Sequence, residues 1–160
     1  MLNVLDVARY IINYSNEKGY GVSNLRLQKL LYFVQAYYLA FTDSHEPCFS
    51  DVIEAWEFGP VVPQVYHEFK CYGSGNIPTI NSYFDYDENA IWSIKRIPYV
   101  SNVIPENDKK IIQGVVEQFS NYSTSALVEL THKQKPWRSV YDRSQKNEIK
   151  KSSIKEYFEN

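Results

Sequence analysis

The chain contains two pairs of a histidine and a cysteine, residue types that can bind a metal ion or act in nucleophilic catalysis. His45 precedes Cys48 by three positions, and His67 precedes Cys71 by four. A tetrahedral zinc site draws its ligands from two such close pairs on separate segments. Pairs that mix one histidine with one cysteine are less diagnostic than a pair of cysteines followed by a pair of histidines. The pattern indicates zinc only weakly, so we expect no metal and interpret both cysteines as small core residues.

The same four residues offer a second chemistry, a thiol nucleophile activated by a histidine base. That mechanism requires the base to reach the thiol within hydrogen-bonding distance, and no accompanying motif indicates such a pair. The glycines at 73 and 75 have neither a third glycine nor a Lys-Ser/Thr pair, which disfavours a phosphate-binding loop. We therefore expect a protein that is not an enzyme and uses no cofactor.

The charge balance restricts the partners. The chain has 17 basic and 19 acidic residues, a net charge of −2. No broad basic field is expected for nucleic acid or an anionic membrane. The first predicted helix contains Asp6 and Arg9 and lacks the apolar run of a signal peptide or membrane span. Two cysteines are too few for a disulfide framework. We expect a cytoplasmic protein without a membrane partner.

The spacing of apolar residues predicts the helices that would position these groups. Asn3 can cap a first helix that reaches about Tyr14, and Ser23 can cap a central helix that ends near Phe41. Pro63 suits the first turn of a third helix. Further helices are predicted over 108–119, from Ser123 to about Thr131, and over 153–159.

Two strands are predicted between these helices. The first spans 51–58 and is ended by Gly59 and Pro60, and the second spans 90–97 and could pair with it. A length of 160 residues fits one domain over 1–160. We expect an α+β fold, mostly α, in which a compact helical domain around the central helix carries a small antiparallel β-sheet or hairpin.

Five short motifs follow one another along the chain. They are Leu25-x-Leu27-Gln28-Lys29-Leu30-Leu31-Tyr32, Ala55-Trp56-x-x-Gly59-Pro60-Val61-Val62-Pro63-x-Val65-Tyr66, Tyr72-Gly73, Leu130-Thr131-His132 and Pro136-Trp137. In this combination the chain resembles the Panacea antitoxin domain family, also described as SocA-like or phage-associated GepA-like. The resemblance extends from the first helix to Ile154-x-x-Tyr157-Phe158.

The resemblance implies an antitoxin, found in prophages and bacterial genomes, whose partner is a cognate toxin encoded by a neighbouring gene. One family member acts as an adaptor that delivers its toxin to the ClpXP protease. The resemblance therefore includes a ClpXP-type protease among the possible partners, and a homodimer is a separate possibility. The family offers no catalytic residues to transfer to this chain.

The recurring positions of the family are the candidates for partner contact. They are Gln28, Lys29, Trp56, Gly59, Pro60, Val61, Tyr66, His132 and Trp137, accompanied by Leu27 and Thr131. A structural interpretation stands beside the functional one. Gly59 and Pro60 can form a turn, the tryptophans can fill volume, and Gln28, Thr131 and His132 can satisfy buried backbone groups.

Three functions compete. The first is an antitoxin that binds its toxin through an aromatic surface near the central helix and the turn between Trp56 and Tyr66. The second is a DNA-binding regulator of its own operon, because Arg26 and Lys29 lie on one side of a helix that follows a turn. Two cations are fewer than the phosphate contacts of tight DNA binders. The third, a metal-dependent hydrolase built on the histidine and cysteine pairs, ranks last.

Overall fold

The computed structural model describes residues 1–86 and 94–160. It confirms the expected α+β fold, in which helices predominate and the strands are short. The helices are α1 (Val4–Glu17), α2 (Asn24–Phe41), α3 (Pro63–Phe69), α4 (Glu106–Gln118), α5 (Thr124–His132), α6 (Lys135–Arg138) and α7 (Lys151–Glu159). The strands are β1 (Ile53–Trp56), β2 (Gly59–Val61), β3 (Ser82–Tyr86), β4 (Ile94–Pro98) and β5 (Glu148–Ile149).

Helix α2 lies at the centre of the core, as its apolar pattern predicts. Its first turn is capped by Ser23, whose hydroxyl accepts a hydrogen bond from the backbone N–H of Arg26 at 3.2 Å. Leu27, Leu31 and Val34 are fully buried. Strand β2 and helices α4, α5 and α7 all pack against α2. Most of the wide apolar surface of this helix is therefore covered by the rest of the fold, whereas Tyr37 and Phe41 near its C-terminal end are exposed.

Helix α1 is joined to α4 by a shared carboxylate. Asn3 caps α1 as predicted, since its side chain accepts from the backbone N–H groups of the first turn. At the other end, the hydroxyl groups of Tyr14 and Tyr20 donate to the two oxygens of Glu117, at 2.7 and 2.6 Å. Both bonds lie at the surface, where they fix the spacing of the two helices.

One small sheet has the strand order β2-β1-β5, and both pairings are antiparallel. The first predicted strand does end before Gly59, since β1 spans Ile53–Trp56. The interpretation of Gly59 and Pro60 as a turn is wrong, because both residues belong to β2 and pair with Trp56 and Ala55. Glu57 and Phe58 form the two-residue hairpin turn between the strands. Pro60 is tolerated because β2 is an edge strand, where the missing N–H interrupts no pairing with a neighbouring strand.

A second sheet consists of the antiparallel hairpin β3–β4. The predicted pairing of the 90–97 strand with the first strand is wrong, since β4 pairs with β3 instead. Residues 90–93 of that predicted strand lie outside the described residues. Arg9 of α1 holds the hairpin to the body, with its guanidinium 3.5 Å from the ring centre of Tyr83.

The C-terminal region adds two elements that the apolar pattern does not predict. Helix α6 is a single turn that contains Pro136, and β5 is only two residues long. The final helix begins at Lys151, two residues earlier than predicted, and buries Ile154. Within residues 1–86 and 94–160, no helix combines the length and apolar composition needed to cross a lipid bilayer.

Candidate functional site

The outer edge of β2 is covered by two side chains of α2 rather than by another strand. Lys29 donates from Nζ to the carbonyl oxygen of Pro60 at 2.9 Å, and Gln28 accepts at Oε1 from the backbone N–H of Val62 at 2.9 Å. An uncovered strand edge would leave these backbone groups unpaired in the core, which is costly. Two adjacent motif residues therefore satisfy the edge of the hairpin.

Gln28 extends this contact into a polar chain that reaches α3. Its amide group donates to Oδ1 of Asn24 at 2.9 Å, and the amide group of Asn24 donates to the carbonyl oxygen of Tyr66 at 3.1 Å. Gln28 and Asn24 are both buried. The chain of bonds fixes α3 and the β1–β2 hairpin against α2, and it bears out the structural interpretation of Gln28.

Lys29 is fully buried, with no exposed surface. No carboxylate lies within ion-pair distance of Lys29 among the residues that the structure describes. Burial lowers the pKa of Lys29 to about 7, because removal from water disfavours the charged form. The bond from Nζ to the carbonyl oxygen of Pro60 is available to both the charged and the neutral form of Lys29, since each has an N–H to donate.

Gly59 provides the space that Lys29 occupies. Its φ is +111°, a conformation that favours glycine, and a Cβ atom there would lie 2.6 Å from Cε of Lys29 and 2.8 Å from Oγ1 of Thr131. Either distance is a severe overlap. The glycine is required both by the backbone conformation and by the close approach of two other motif residues.

Trp56 is half-buried at the end of β1, where it joins several parts of the fold. Its indole N–H donates to Glu54 at 2.9 Å, and its ring contacts Tyr66 edge to face at a centroid distance of 4.9 Å. The ammonium group of Lys146 lies 4.2 Å from the ring centre, a cation–π contact. The carbonyl oxygen of Trp56 accepts from the indole N–H of Trp137 at 2.8 Å.

Three rings stack beside this hairpin. Trp137 lies between His132, at a centroid distance of 4.0 Å, and Tyr141, at 4.5 Å. The expectation that His132 satisfies a buried backbone group is wrong. Its Nε2 is buried and has no hydrogen-bond partner among the described residues. Thr131 does satisfy a backbone carbonyl, since its hydroxyl donates to the carbonyl oxygen of Val128 at 2.9 Å.

An open cavity of about 410 Å³ lies between α2, the β1–β2 hairpin and α3. We call it the aromatic groove. Its walls include Leu25, Trp56, Phe58, Val61, Tyr66 and Lys70. Phe58 projects from the hairpin turn with 57% of its surface exposed. The groove combines an apolar lining with one cation, Lys70, and one carboxylate, Glu57.

The predicted partner-contact residues thus lie together, but at different depths. Gln28, Lys29, Gly59, Pro60, Val61 and Trp137 are buried, whereas Trp56, Tyr66 and His132 are half-buried. Val61, Trp56, Tyr66 and Gln28 line the aromatic groove.

The histidine and cysteine pairs do not form a metal centre. Among residues 1–86 and 94–160, no group of three or more possible ligands lies close enough to hold an ion. Cys48 is buried, and burial raises the pKa of its thiol to about 12, so the thiol stays protonated at neutral pH. Cys71 is exposed, which corrects its assignment to the core. His45 instead uses Nδ1 to contact the carbonyl oxygen of Leu39 at 3.0 Å.

The two cations proposed for DNA binding are engaged inside the protein. Lys29 is buried on Pro60, and Arg26 donates from its two terminal nitrogens to the carbonyl oxygens of Phe119 and Tyr122, both at 2.6 Å. Arg26 thereby satisfies carbonyl groups just beyond the C-terminal end of α4, where a cation is favoured. The α1–α2 pair therefore does not present these two cations to phosphates.

Sequence reasoning missed Leu25 and Phe58 as walls of the groove, and it missed a local concentration of basic residues. Between positions 133 and 151 there are seven lysines and arginines and two acidic residues. The net charge of the whole chain conceals this segment. A count of charge in a moving window would have shown it.

Comparison with known proteins shows one family and one relative that match most of the chain. The family described as Antitoxin SocA-like, Panacea domain, matches residues 27–138, which include α2 from Leu27 onward, the β1–β2 hairpin, His132 and Trp137. Antitoxin SocA of Caulobacter vibrioides (strain NA1000 / CB15N) is 35% identical over 129 residues, which are 79% of this chain and 63% of that protein. The chain thus spans less than two thirds of the length of this relative.

No solved structure matches the chain significantly. The match to the family nevertheless covers the buried motif residues of α2 and β2 as well as Trp56 and Trp137. On these grounds, the chain belongs to the SocA-like antitoxin family with the Panacea domain.

Proposed function

We propose that this protein neutralises a cognate toxin by binding it directly, without catalysis, through the aromatic groove and the exposed turn beside it. The observation that carries the proposal is the exposure of Phe58 next to a groove whose floor is fixed by buried motif residues. Large aromatic side chains at the rim of an apolar groove are typical anchors of protein–protein interfaces.

The motif residues have two separate roles in this proposal. Gln28, Lys29, Gly59 and Pro60 fix the position of the hairpin from beneath, because their contacts lie inside the protein. Trp56 and Tyr66 have partly exposed surfaces in the groove and contact the toxin there. His132 and Trp137 support the hairpin from its other side, where the indole of Trp137 bonds to Trp56.

The size of the molecule suits stoichiometric inhibition. A standard interface buries about 800 Å² on each partner. The accessible surface of this chain is 9272 Å², so such an interface would occupy less than a tenth of it. One copy of the chain can therefore cover a toxin surface of ordinary size.

Co-expression with the neighbouring genes tests the proposal. Each neighbour is expressed alone and with this protein, and growth and co-purification are measured. We expect one neighbour that arrests growth alone, is tolerated with this protein and elutes with it in a fixed ratio. Neighbours that are harmless, or a toxic neighbour that is rescued without ever forming a complex, would contradict direct neutralisation.

The family resemblance supports a second step, delivery of the bound toxin to a ClpXP-type protease. Direct occlusion and delivery differ in the fate of the toxin. Under delivery, the half-life of the toxin falls when this protein and the protease are both present. Under occlusion alone, the toxin persists in the complex with an unchanged half-life.

A further inference from the structure

A second cavity adjoins the aromatic groove. It has a volume of about 530 Å³ and shares Trp56 and Glu57 with the groove. Its other walls include Tyr141, Asp142, Arg143 and Lys146, and we call it the polar cavity. The two cavities therefore meet at one tryptophan, one with an apolar lining and the other with charged walls.

The two cations of the polar cavity form no ion pair with any carboxylate in residues 1–86 and 94–160. No carboxylate lies within 4.0 Å of Arg143 or Lys146 among the described residues, and both side chains are exposed. Lys146 instead lies over the face of Trp56 at 4.2 Å. Lys70, in the aromatic groove, also forms no ion pair with a carboxylate among those residues.

Two carboxylates, Asp142 and Glu57, lie in the same walls and offset part of this positive charge. Asp142 accepts from the backbone N–H and the hydroxyl of Ser144, both at 2.8 Å, and these bonds lower the pKa of Asp142. Asp142 is therefore ionised at neutral pH and keeps its negative charge in the wall that also contains Arg143. Glu57 is exposed at the hairpin turn and is the remaining acidic group of the two cavities. Across the two cavities three cations, Lys70, Arg143 and Lys146, therefore face two carboxylates, Asp142 and Glu57, which leaves an excess of one positive charge.

The surrounding chain has the same sign. Residues 133–151 contain seven basic and two acidic residues, although the chain as a whole has a net charge of −2. A local positive potential accelerates association with an acidic partner and disfavours a basic one. The positive charge favours acidic groups in a ligand, and the aromatic groove favours an apolar side chain. A ligand that suits both cavities therefore carries both.

We propose that the toxin presents an acidic segment with an apolar anchor, which crosses Trp56. The anchor, a large aliphatic or aromatic side chain, occupies the aromatic groove beside Phe58 and Tyr66. Carboxylates next to the anchor bind Arg143 and Lys146 in the polar cavity. This inference rests on the proposed function and specifies the chemistry of its partner.

Charge reversal at the polar cavity tests the inference. The double variant Arg143→Glu with Lys146→Glu is compared with Lys95→Glu with Lys110→Glu, which makes the same change of net charge at exposed positions outside both cavities. Binding to the co-purifying toxin is measured at about 50 and about 300 mM salt.

We expect the variant of the polar cavity to bind about tenfold or more weakly at low salt, and to lose most of the salt dependence of the wild type. The control pair should stay within about threefold of the wild type. Equal weakening by both pairs would overturn the inference, because it would show only a nonspecific effect of net charge. Wild-type affinity in the variant of the polar cavity would overturn it as well, while direct neutralisation would stand.

A defined peptide tests the chemistry without the toxin. The probe is a fluorescent peptide with Leu-Phe between runs of glutamate, and its controls replace either the glutamates by glutamines or the Leu-Phe pair by serines. We expect the chain to bind the first peptide more tightly than both controls. Binding that requires only the glutamates, or no binding, would overturn the inference.

The same variants distinguish a nucleic-acid ligand from an acidic protein segment. A labelled duplex from the region upstream of the gene is titrated under the same two salt conditions. Loss of duplex binding in the Arg143 and Lys146 variant, together with unchanged toxin binding, would assign the polar cavity to DNA and overturn the inference. If the wild type binds no neighbouring toxin, the proposed function fails and the inference fails with it.

Discussion

Gly59 and Lys29 lie so close that a Cβ atom at position 59 would be 2.6 Å from Cε of Lys29. The side chain of Lys29 reaches over this glycine to the carbonyl oxygen of Pro60. The glycine, the lysine and the proline of two distant motifs therefore form one structural unit, which fixes the hairpin that carries Phe58.

Gly59→Ala should destabilise the protein through two effects, the positive φ and the overlap with Lys29 and Thr131. Gly19→Ala separates them, since Gly19 has a φ of +78° and no atom within 4 Å of the added Cβ. We expect the free energy of unfolding to fall by about 1 kcal/mol in Gly19→Ala. In Gly59→Ala it should fall by at least about 2 kcal/mol. Urea denaturation measures both, and equal losses would contradict the role of close packing.

The buried ammonium group of Lys29 should make stability rise with pH. Its pKa is about 7 in the folded protein and near 10.5 in the unfolded chain. Between these values the unfolded chain binds more protons, so the free energy of unfolding increases as pH rises. From pH 7 to pH 9 the gain should be about 2 kcal/mol.

Lys29→Met removes this titration and provides the comparison. The free energy of unfolding is measured for both proteins between pH 7 and pH 9. Burial raises the pKa of Cys48 from 9.0 to about 12, so ionisation of this thiol in the unfolded chain lowers stability toward pH 9 in both proteins, and the difference between the two profiles cancels it. The wild type should gain stability relative to the variant over this range. Parallel pH profiles would show that Lys29 does not titrate there.

Gln28→Leu should cost about 1–3 kcal/mol, because it leaves the buried N–H of Val62 without its acceptor. Gln118→Leu is the matched control, since Gln118 is an exposed glutamine on α4. The control should change stability by less than about 0.5 kcal/mol. Thermal or urea unfolding measures the difference, and similar effects at both positions would argue against a special role for the covered edge of β2.

Glu117→Gln tests the link between α1 and α4. Hydrogen bonds from Tyr20 and Tyr14 lower the pKa of the Glu117 carboxyl group. Its contribution to stability is therefore present above the pKa of the unfolded state and is lost as pH falls through the lower folded pKa. The wild type should be more stable than the variant at neutral pH, and the difference should shrink in acid. A difference that grows on acidification would contradict this sign.

The helix ends were predictable where a side chain marks them. Asn3, Ser23 and Ser123 each cap the helix that follows, because a local pattern of a few residues decides a cap. Strand β2 was missed because Pro60 usually ends a strand, and its outer edge is covered by Gln28 and Lys29, about thirty positions earlier. A contact so distant in sequence leaves no local signal.

The groups at the site were only partly predictable for a similar reason. The motifs identified Trp56 and Tyr66, but motif residues such as Lys29 and Gly59 turned out to be buried supports. Arg143 and Lys146 belong to no motif and reach the site because β5 returns the chain to β1. Burial and the pairing of distant segments are properties of the fold, which residue types and spacing do not specify.

The affinity of this protein for the toxin that its neighbouring gene encodes tests the central claim most directly. Phe58→Ser and Phe84→Ser form a matched pair, because the two phenylalanines are 57% and 56% exposed and only Phe58 lies at the aromatic groove. Calorimetric titration should show Phe58→Ser binding at least about tenfold more weakly than the wild type, about 1.4 kcal/mol, and Phe84→Ser binding within about twofold. Undiminished affinity in Phe58→Ser would contradict binding at the groove.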